Sequence, residues 1–307
     1  MDKYSSTATN SGDDPQAIDR RLAESIEPIN SVVPQGCESC DAKTASADEL
    51  SRDTKFIYAI GKIEPRFPKV SVEKELAQAI GRAETAGQTD KQALHAALAL
   101  RENRYLARHL CWVLTIQGVN CYILRPRDPS DFDLLVQSLS YANNPMSTAV
   151  VGIRGPVADV GYCNGLLLPI VGFDQIYTFD RAAIIGAIPR PKGADKSSFT
   201  AAAEELFDRV IQIADNAGAT DEHRALNYLA MRYSAIYHKV AEEYNLNCSL
   251  DGVETVSSRL SSSRKVIDVV LTFTERTVGF TKKYFVRVDA TDQFPFLVSK
   301  LAPYYSR

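Results

Sequence analysis

The stretch NGLLLPIVGFDQIYTFDRAAIIGAIPRP, Asn164–Pro191, decides how the rest of the chain is read. An apolar run suited to a strand comes first. A short polar switch at Asp174 and Gln175 follows, then a second, helix-like apolar run stopped by Pro-Arg-Pro. A segment this apolar has to be buried, since each Å² of apolar surface left in water forfeits about 25 cal/mol. It is expected to form the core of one domain, with the hinge to the next behind it. No catalytic signature lies within it.

Working outward, Pro189–Ser198 (PRPKGADKSS) has the composition of a linker. Upstream, Phe56–Ile63 reads as a strand. Ser71–Glu84 reads as a helix with Ser71 as its cap and Val72, Leu76 and Ile80 on one face. Asp90 starts another helix running to about Leu106. LCWVLTI-QGVN-CYILRP, 110–126, is a β-hairpin pattern. Pairing Ile116 with Cys121 would set Cys111 opposite Pro126, so Cys111 and Cys121 do not face each other. Asp128-Pro129 opens a helix through Leu139, Ala149–Ile153 and Leu166–Ile170 return as strands, and a short helix follows Asp180.

Downstream of the linker, Ser198–Asn216 is an amphipathic helix, and Thr220 caps a helical run to about Tyr244. Three β-rich runs follow near Ser249–Val256, Lys265–Thr274 and Lys283–Asp289, as an antiparallel meander packed on those helices. The apolar tail FPFLVSKLAPYY, 294–305, is expected to dock back as a short helix. The fold class is therefore α+β: two small domains, 54–188 and 199–307, each a mainly antiparallel sheet packed against helices, joined by the linker 189–198.

Residues 1–53 differ. They hold 11 acidic and 5 basic residues, a net of −6, so the remaining chain is +3 against the total of −3. Low hydrophobicity with net charge predicts a largely disordered tail, because too little apolar surface is available to offset ordering entropy. One short amphipathic helix is expected in it, capped by Asp14 with Pro15 at its first position and Ile18, Leu22 and Ile26 in a stripe. A stripe that narrow suits docking onto another surface or frays.

With 45% hydrophobic and 24% charged residues, the chain has the composition of a globular protein. A net charge of −3 gives no footprint for nucleic acid or a membrane surface, and no apolar run reaches the length of a membrane helix. The first residues, MDKYSSTATNSGDD, lack the apolar core of a signal peptide. A cytoplasmic address follows, and with it six reduced cysteines rather than a disulfide framework.

Chemistry-bearing patterns are few. Cys37-x-x-Cys40 has the spacing of two zinc ligands, but a closed site needs two more, from Cys111, Cys163 or His109. The plainer reading is a pair of reduced thiols in a tail. His109 and Cys111 share a face if they lie in a strand, and a Cys–His couple makes a nucleophile, although a buried thiol is usually inert packing. Asp221-Glu222-His223-Arg224 resembles an acid–base cluster and is more simply the acidic first turn of a helix. Asp180 reads as a helix cap, and Asp174 as a buried or interfacial carboxylate. His95 and His238 lie in expected helices without a partner pattern. No dinucleotide loop, P-loop, HExxH or GxSxG is present, nor the G-T-S-x-[AS] serine motif of subtilases.

Several strings together resemble one family: FIYAIGKIEP, RHLCWVLTIQGVNCYILRPRDP, CNGLLLPIVGFDQIYTFDR, the linker PRP, AAEELFDR, DNAGATDEHRALNYLAMRY and YFVRVDATDQFPFLVSKLAPYY. They are similar to the C-terminal part of the PatG/PatA-type cyanobactin maturation proteases, over about Lys55–Arg307. In that family, domains of unknown function accompany a subtilisin-like protease in ribosomal peptide biosynthesis. The resemblance implies an accessory protein that holds a precursor peptide or a partner maturation enzyme and self-associates as a homodimer. Cleavage and cyclisation belong to the subtilase domain, whose motif is missing here, so no catalytic residue carries over.

The expectation is thus a non-catalytic accessory protein of cyanobactin-like maturation, binding peptide by strand addition or in a groove between domains. No cofactor is expected beyond a structural zinc at Cys37 and Cys40. The alternatives are a peptide-modifying enzyme of unrecognised type using Cys111, His109, Asp174 or His223, and a zinc-stabilised dimeric scaffold.

Overall fold

The computed structural model describes residues 56–82, 87–140, 147–188, 190, 195–213, 215–258 and 263–305. The expected tail, its helix, and Cys37 and Cys40 lie outside the described residues. Everything described falls in one compact unit, Ala47–Arg307.

Strand β1 (Phe56–Arg66) is followed by helices α1 (Val70–Arg82), α2 (Asp90–Ala99) and α3 (Arg104–His109). The helix from Asp90 is thus interrupted at Leu100, whose backbone turns extended (ψ 132°). Thr89 caps α2 in a reciprocal box with Gln92, satisfying two orphan backbone donors at once. Strands β2 (Cys111–Ile116) and β3 (Val119–Pro126) form the expected hairpin. Its turn is the two residues Gln117 (φ 50°) and Gly118 (φ 83°), a left-handed pair that matches the twist of the flanking strands. Ile116 therefore pairs with Val119 rather than with Cys121, and the register shifts between Leu114 and Thr115.

After α4 (Phe132–Ser138) come β4 (Ser147–Val157), β5 (Pro169–Phe179) and α5 (Arg181–Ala187). β5 starts at Pro169 and runs unbroken through Asp174 and Gln175. The polar pair thus marks where a buried strand meets solvent rather than a break between elements. The five strands close a barrel in the order β1-β2-β3-β5-β4, antiparallel except for the parallel pair β3–β5. Closure brings β4 back to β1, with Tyr58 opposite Val151.

The second sheet is antiparallel, ordered β6 (Cys248–Ser257), β7 (Val266–Glu275), β8 (Thr281–Asp289) and β9 (Phe296–Pro303). It packs on α6 (Lys196–Ile211), α7 (Asp221–Arg232) and α8 (Ala235–Asn245). The single helical run expected after Thr220 breaks at Tyr233–Ser234. The C-terminal segment is strand β9, not the expected helix. Phe296, Val298 and Lys300 are exposed while Leu297, Ser299 and Leu301 are half-buried, the two-residue period of a strand.

The faces of β1 feed two cores. Ile57, Ala59 and Ile63 join Trp112, Leu114, Val171 and Phe173 and the apolar faces of α1–α4. Tyr58 and Ile60 instead join Ala149, Val151 and Phe179 in a core completed by α6–α8 and the inner face of the second sheet. Barrel and C-terminal sheet thus share the second of these cores.

The cysteines correct an expectation. Cys111 and Cys163 form a disulfide, their Cα atoms 5.6 Å apart. A sparse cysteine count argues for free thiols only until the fold brings two within bridging range. Cys121, half-buried, and Cys248, buried, are free. Among the described residues no helix is long and apolar enough to cross a membrane.

Candidate functional site

β1, β4 and β5 lie side by side in the barrel wall, and their register places Tyr58, Val151 and Gln175 in one row across the three strands. Tyr177 stands two residues along β5 from Gln175, hence on the same face, and its hydroxyl donates to the Gln175 side-chain amide oxygen. Helix α7 crosses above this row. Its Tyr228 and Arg232 are four residues apart and so share the face turned toward the strands. The segment after β8 brings Phe294 and Pro295 to the remaining side. These eight residues line a cleft of about 260 Å³.

The polar groups of the cleft are poised. The Arg232 guanidinium stacks over the Tyr177 ring at 4.5 Å, where the π face favours a cation. Arg232 makes no ion pair with a carboxylate among the described residues. Tyr58 meets Tyr228 edge to face at 6.5 Å. Its side chain is 3% exposed, and its hydroxyl has no hydrogen-bond partner. Burial pushes the Tyr58 hydroxyl up to about 12; the charge of Arg232 and the close approach of its guanidinium to the hydroxyl oppose that rise, although the approach falls outside hydrogen-bond geometry. Among the described residues the cleft therefore holds a cation with no carboxylate partner and a buried hydroxyl with no hydrogen-bond partner.

The walls are held by a polar frame. The Tyr58 backbone N–H donates to the Gly218 carbonyl at 3.0 Å, and the Asn227 amide donates to the Tyr58 carbonyl at 2.8 Å. Asn227 and Asn216 exchange hydrogen bonds at 2.9 and 3.1 Å. Arg224, fully buried, pairs with Asp221 at 3.0 Å and donates to the carbonyls of Ala290 (2.7 Å) and Asp292. That guanidinium ties the segment bearing Phe294 and Pro295 to α7. Gln293 donates to Asp174, which also receives Arg127 at 2.9 Å.

The residues singled out from sequence fall mostly elsewhere. Asp174 is a structural carboxylate that anchors the cleft's rim through Gln293. Asp180 caps α5, donating no proton but accepting from the Ala182 N–H at 3.1 Å. Asp221 is occupied by Arg224 and by Lys265 at 3.1 Å. His223 follows the Thr220 cap, with burial pulling its pKa down against the charges of Glu222 and Asp215. His109 ends α3 with its ring against Tyr105, and Cys111 is bonded to Cys163, so the two form no nucleophilic couple. The same bond removes Cys111 and Cys163 as zinc ligands. His238 packs beside Phe199 at 6.3 Å, and His95 lies half-buried on α2. No cluster of three or more His, Cys, Asp or Glu side chains is gathered among the described residues.

Sequence reading missed Tyr58, Tyr177, Tyr228, Arg232, Phe294 and Pro295. The one local trace was the Tyr228/Arg232 spacing on an amphipathic helix; the rest converge only through the fold. A larger, more open depression of about 410 Å³ beside the disulfide is lined by Arg66, Glu73, Asn120 and Asn164 among others. Its Arg66 is already paired with Glu64 at 2.9 Å. The aromatic cleft is the better binding candidate, because its cation has no carboxylate partner among the described residues.

Residues 193–304 match the family model described as PatG C-terminal, so this part of the chain is a PatG C-terminal-like region. A solved structure described as "PatG Domain of Unknown Function" superposes with a TM-score of 0.67, covering 82% of this chain and 99% of that chain at 20% identity. At that identity the likeness is one of fold. No curated protein matches the chain.

Proposed function

We propose that this chain is a non-catalytic accessory protein of cyanobactin-like ribosomal peptide maturation, and that it holds an extended segment of a precursor peptide, or of a partner maturation enzyme, in the aromatic cleft. The PatG C-terminal-like region supports the biosynthetic setting. The cleft itself carries the binding reading: Tyr58, Tyr177 and Tyr228 line it beside an Arg232 that has no carboxylate partner among the described residues. Rigid aromatic walls with a few polar groups are the ordinary composition of a recognition site. At about 260 Å³ the cleft is smaller than a pocket that encloses a whole ligand, and suits one or two residues of a longer chain.

The experiment uses the full chain and a synthetic linear precursor peptide of cyanobactin type. Calorimetry is expected to show binding that Tyr177→Ala or Phe294→Ala weakens by about tenfold, the usual loss when an aromatic anchor is removed. The mass of the recovered peptide is expected to be unchanged. A reproducible mass change that requires the chain would overturn the accessory reading.

A further inference from the structure

We propose that the cleft captures the free C-terminal carboxylate of a peptide whose last residue is aromatic or aliphatic, through Arg232 and the Tyr58 hydroxyl. The inference rests on the peptide-binding reading above and names what that site takes.

Two independent observations carry it. Arg232 projects from α7 beside the cleft, stacked on Tyr177 at 4.5 Å, and forms no ion pair with a described carboxylate. Stacking leaves the edges of the guanidinium, where its N–H donors lie, open to a planar acceptor, the geometry that bidentate carboxylate recognition needs. Tyr58 supplies the second observation. Its hydroxyl lies buried in the wall of the same cleft with no hydrogen-bond partner among the described residues, a condition that a ligand acceptor would relieve. The guanidinium can only donate, and the hydroxyl beside it has a proton to donate as well, so an anionic acceptor is the one ligand that engages both at once. A second cation or a donor-rich ligand would leave the guanidinium, which has no acceptor atom, unsatisfied.

The choice of a chain end follows from size and walls. A segment passing through needs room for backbone on both sides, whereas about 260 Å³ accommodates a terminal residue. Tyr228, Phe294, Val151 and Pro295 line the cleft and supply apolar surface for that residue's side chain.

The test is calorimetry on the full chain with three acetylated tetrapeptides: Ala-Gly-Ala-Phe as free acid, the same sequence as C-terminal amide, and Ala-Asp-Ala-Phe as amide. The free acid is expected to bind about tenfold or more tightly than either amide, as one charge-assisted pair provides. Arg232→Gln, at an exposed position, should erase the difference between acid and amide. Tyr58→Phe should weaken the free acid selectively while its melting temperature equals or exceeds that of the parent, because only an unpartnered hydroxyl is lost. Equal binding of acid and amide would overturn the carboxylate inference and leave peptide binding in the cleft standing. Tightest binding by the aspartate peptide would overturn the chain-end assignment. Binding of none of the three at millimolar concentration would overturn both the inference and the peptide-binding reading it rests on.

Discussion

The Asn227 side-chain amide donates to the Tyr58 backbone carbonyl at 2.8 Å, joining helix α7 to the first strand of the barrel. Beside it the Tyr58 N–H is met by the Gly218 carbonyl. Both backbone groups of Tyr58 are thus satisfied by the C-terminal half of the chain. The residue that supplies the cleft's orphaned hydroxyl is also the one through which barrel and α7 are held together.

Replacing Asn227 with Ala would leave the Tyr58 carbonyl and the Asn216 amide short of partners in a buried site. Each such group costs about 1–3 kcal/mol. Gly218→Ala should be worse tolerated than an ordinary glycine substitution: the backbone sits at φ +69°, and an added Cβ would lie 2.3 Å from the Tyr58 carbonyl oxygen. Both variants should lower the urea midpoint with the slope unchanged, and in a single transition, because the two parts share a core. Separate transitions for barrel and sheet would contradict the shared interior.

The Cys111–Cys163 bond closes a loop with a sequence separation of 52. Cross-links over loops of that length stabilise by about 4 kcal/mol in the chain-entropy account. Dithiothreitol should therefore lower the melting temperature of the parent to that of the Cys111→Ala/Cys163→Ala double variant, which itself should not respond. Of the six cysteines, the denatured, unreduced chain should offer at most about four reactive thiols. Titration of all six without reductant would exclude the bond.

Glu243 sets an acid limit on stability. Burial pushes its carboxyl up, yet hydrogen bonds from Tyr284 (2.7 Å) and Lys282 (3.1 Å), with the charges of Lys282 and Lys239, outweigh burial and hold its pKa below the ordinary value. A depressed carboxyl contributes stability that is present above its unfolded pKa and is lost as pH falls through the folded one. Glu243→Gln should thus be less stable than the parent near pH 7, with the gap closing as pH drops below the usual glutamate range. A gap that widens in acid would contradict the assignment.

What could be read in the sequence was what local chemistry determines. Thr220 and Asp180 cap their helices as read, since a capping side chain needs only its own next few residues. The β2–β3 hairpin is legible in its Gln117-Gly118 turn. The tail 294–305 carries strand β9 rather than the expected helix although its alternation is present in the sequence, because an apolar run of that length suits a helix or a strand until a sheet edge accepts it. Barrel closure through the parallel β3–β5 pair, the Cys111–Cys163 bond and the cleft depend on residues meeting across long separations. Tyr58 and Phe294 have nothing in their own neighbourhoods that announces a common site.

Hydrogen–deuterium exchange on the full chain, with and without the cyanobactin-type precursor peptide, tests the central claim most directly. Binding in the cleft predicts added protection in the segments holding Gln175–Tyr177, Tyr228–Arg232 and Asp292–Pro295, with little change elsewhere. Protection confined to β6 or β9, the open edges of the second sheet, would place the peptide by strand addition and contradict the cleft as its binding site.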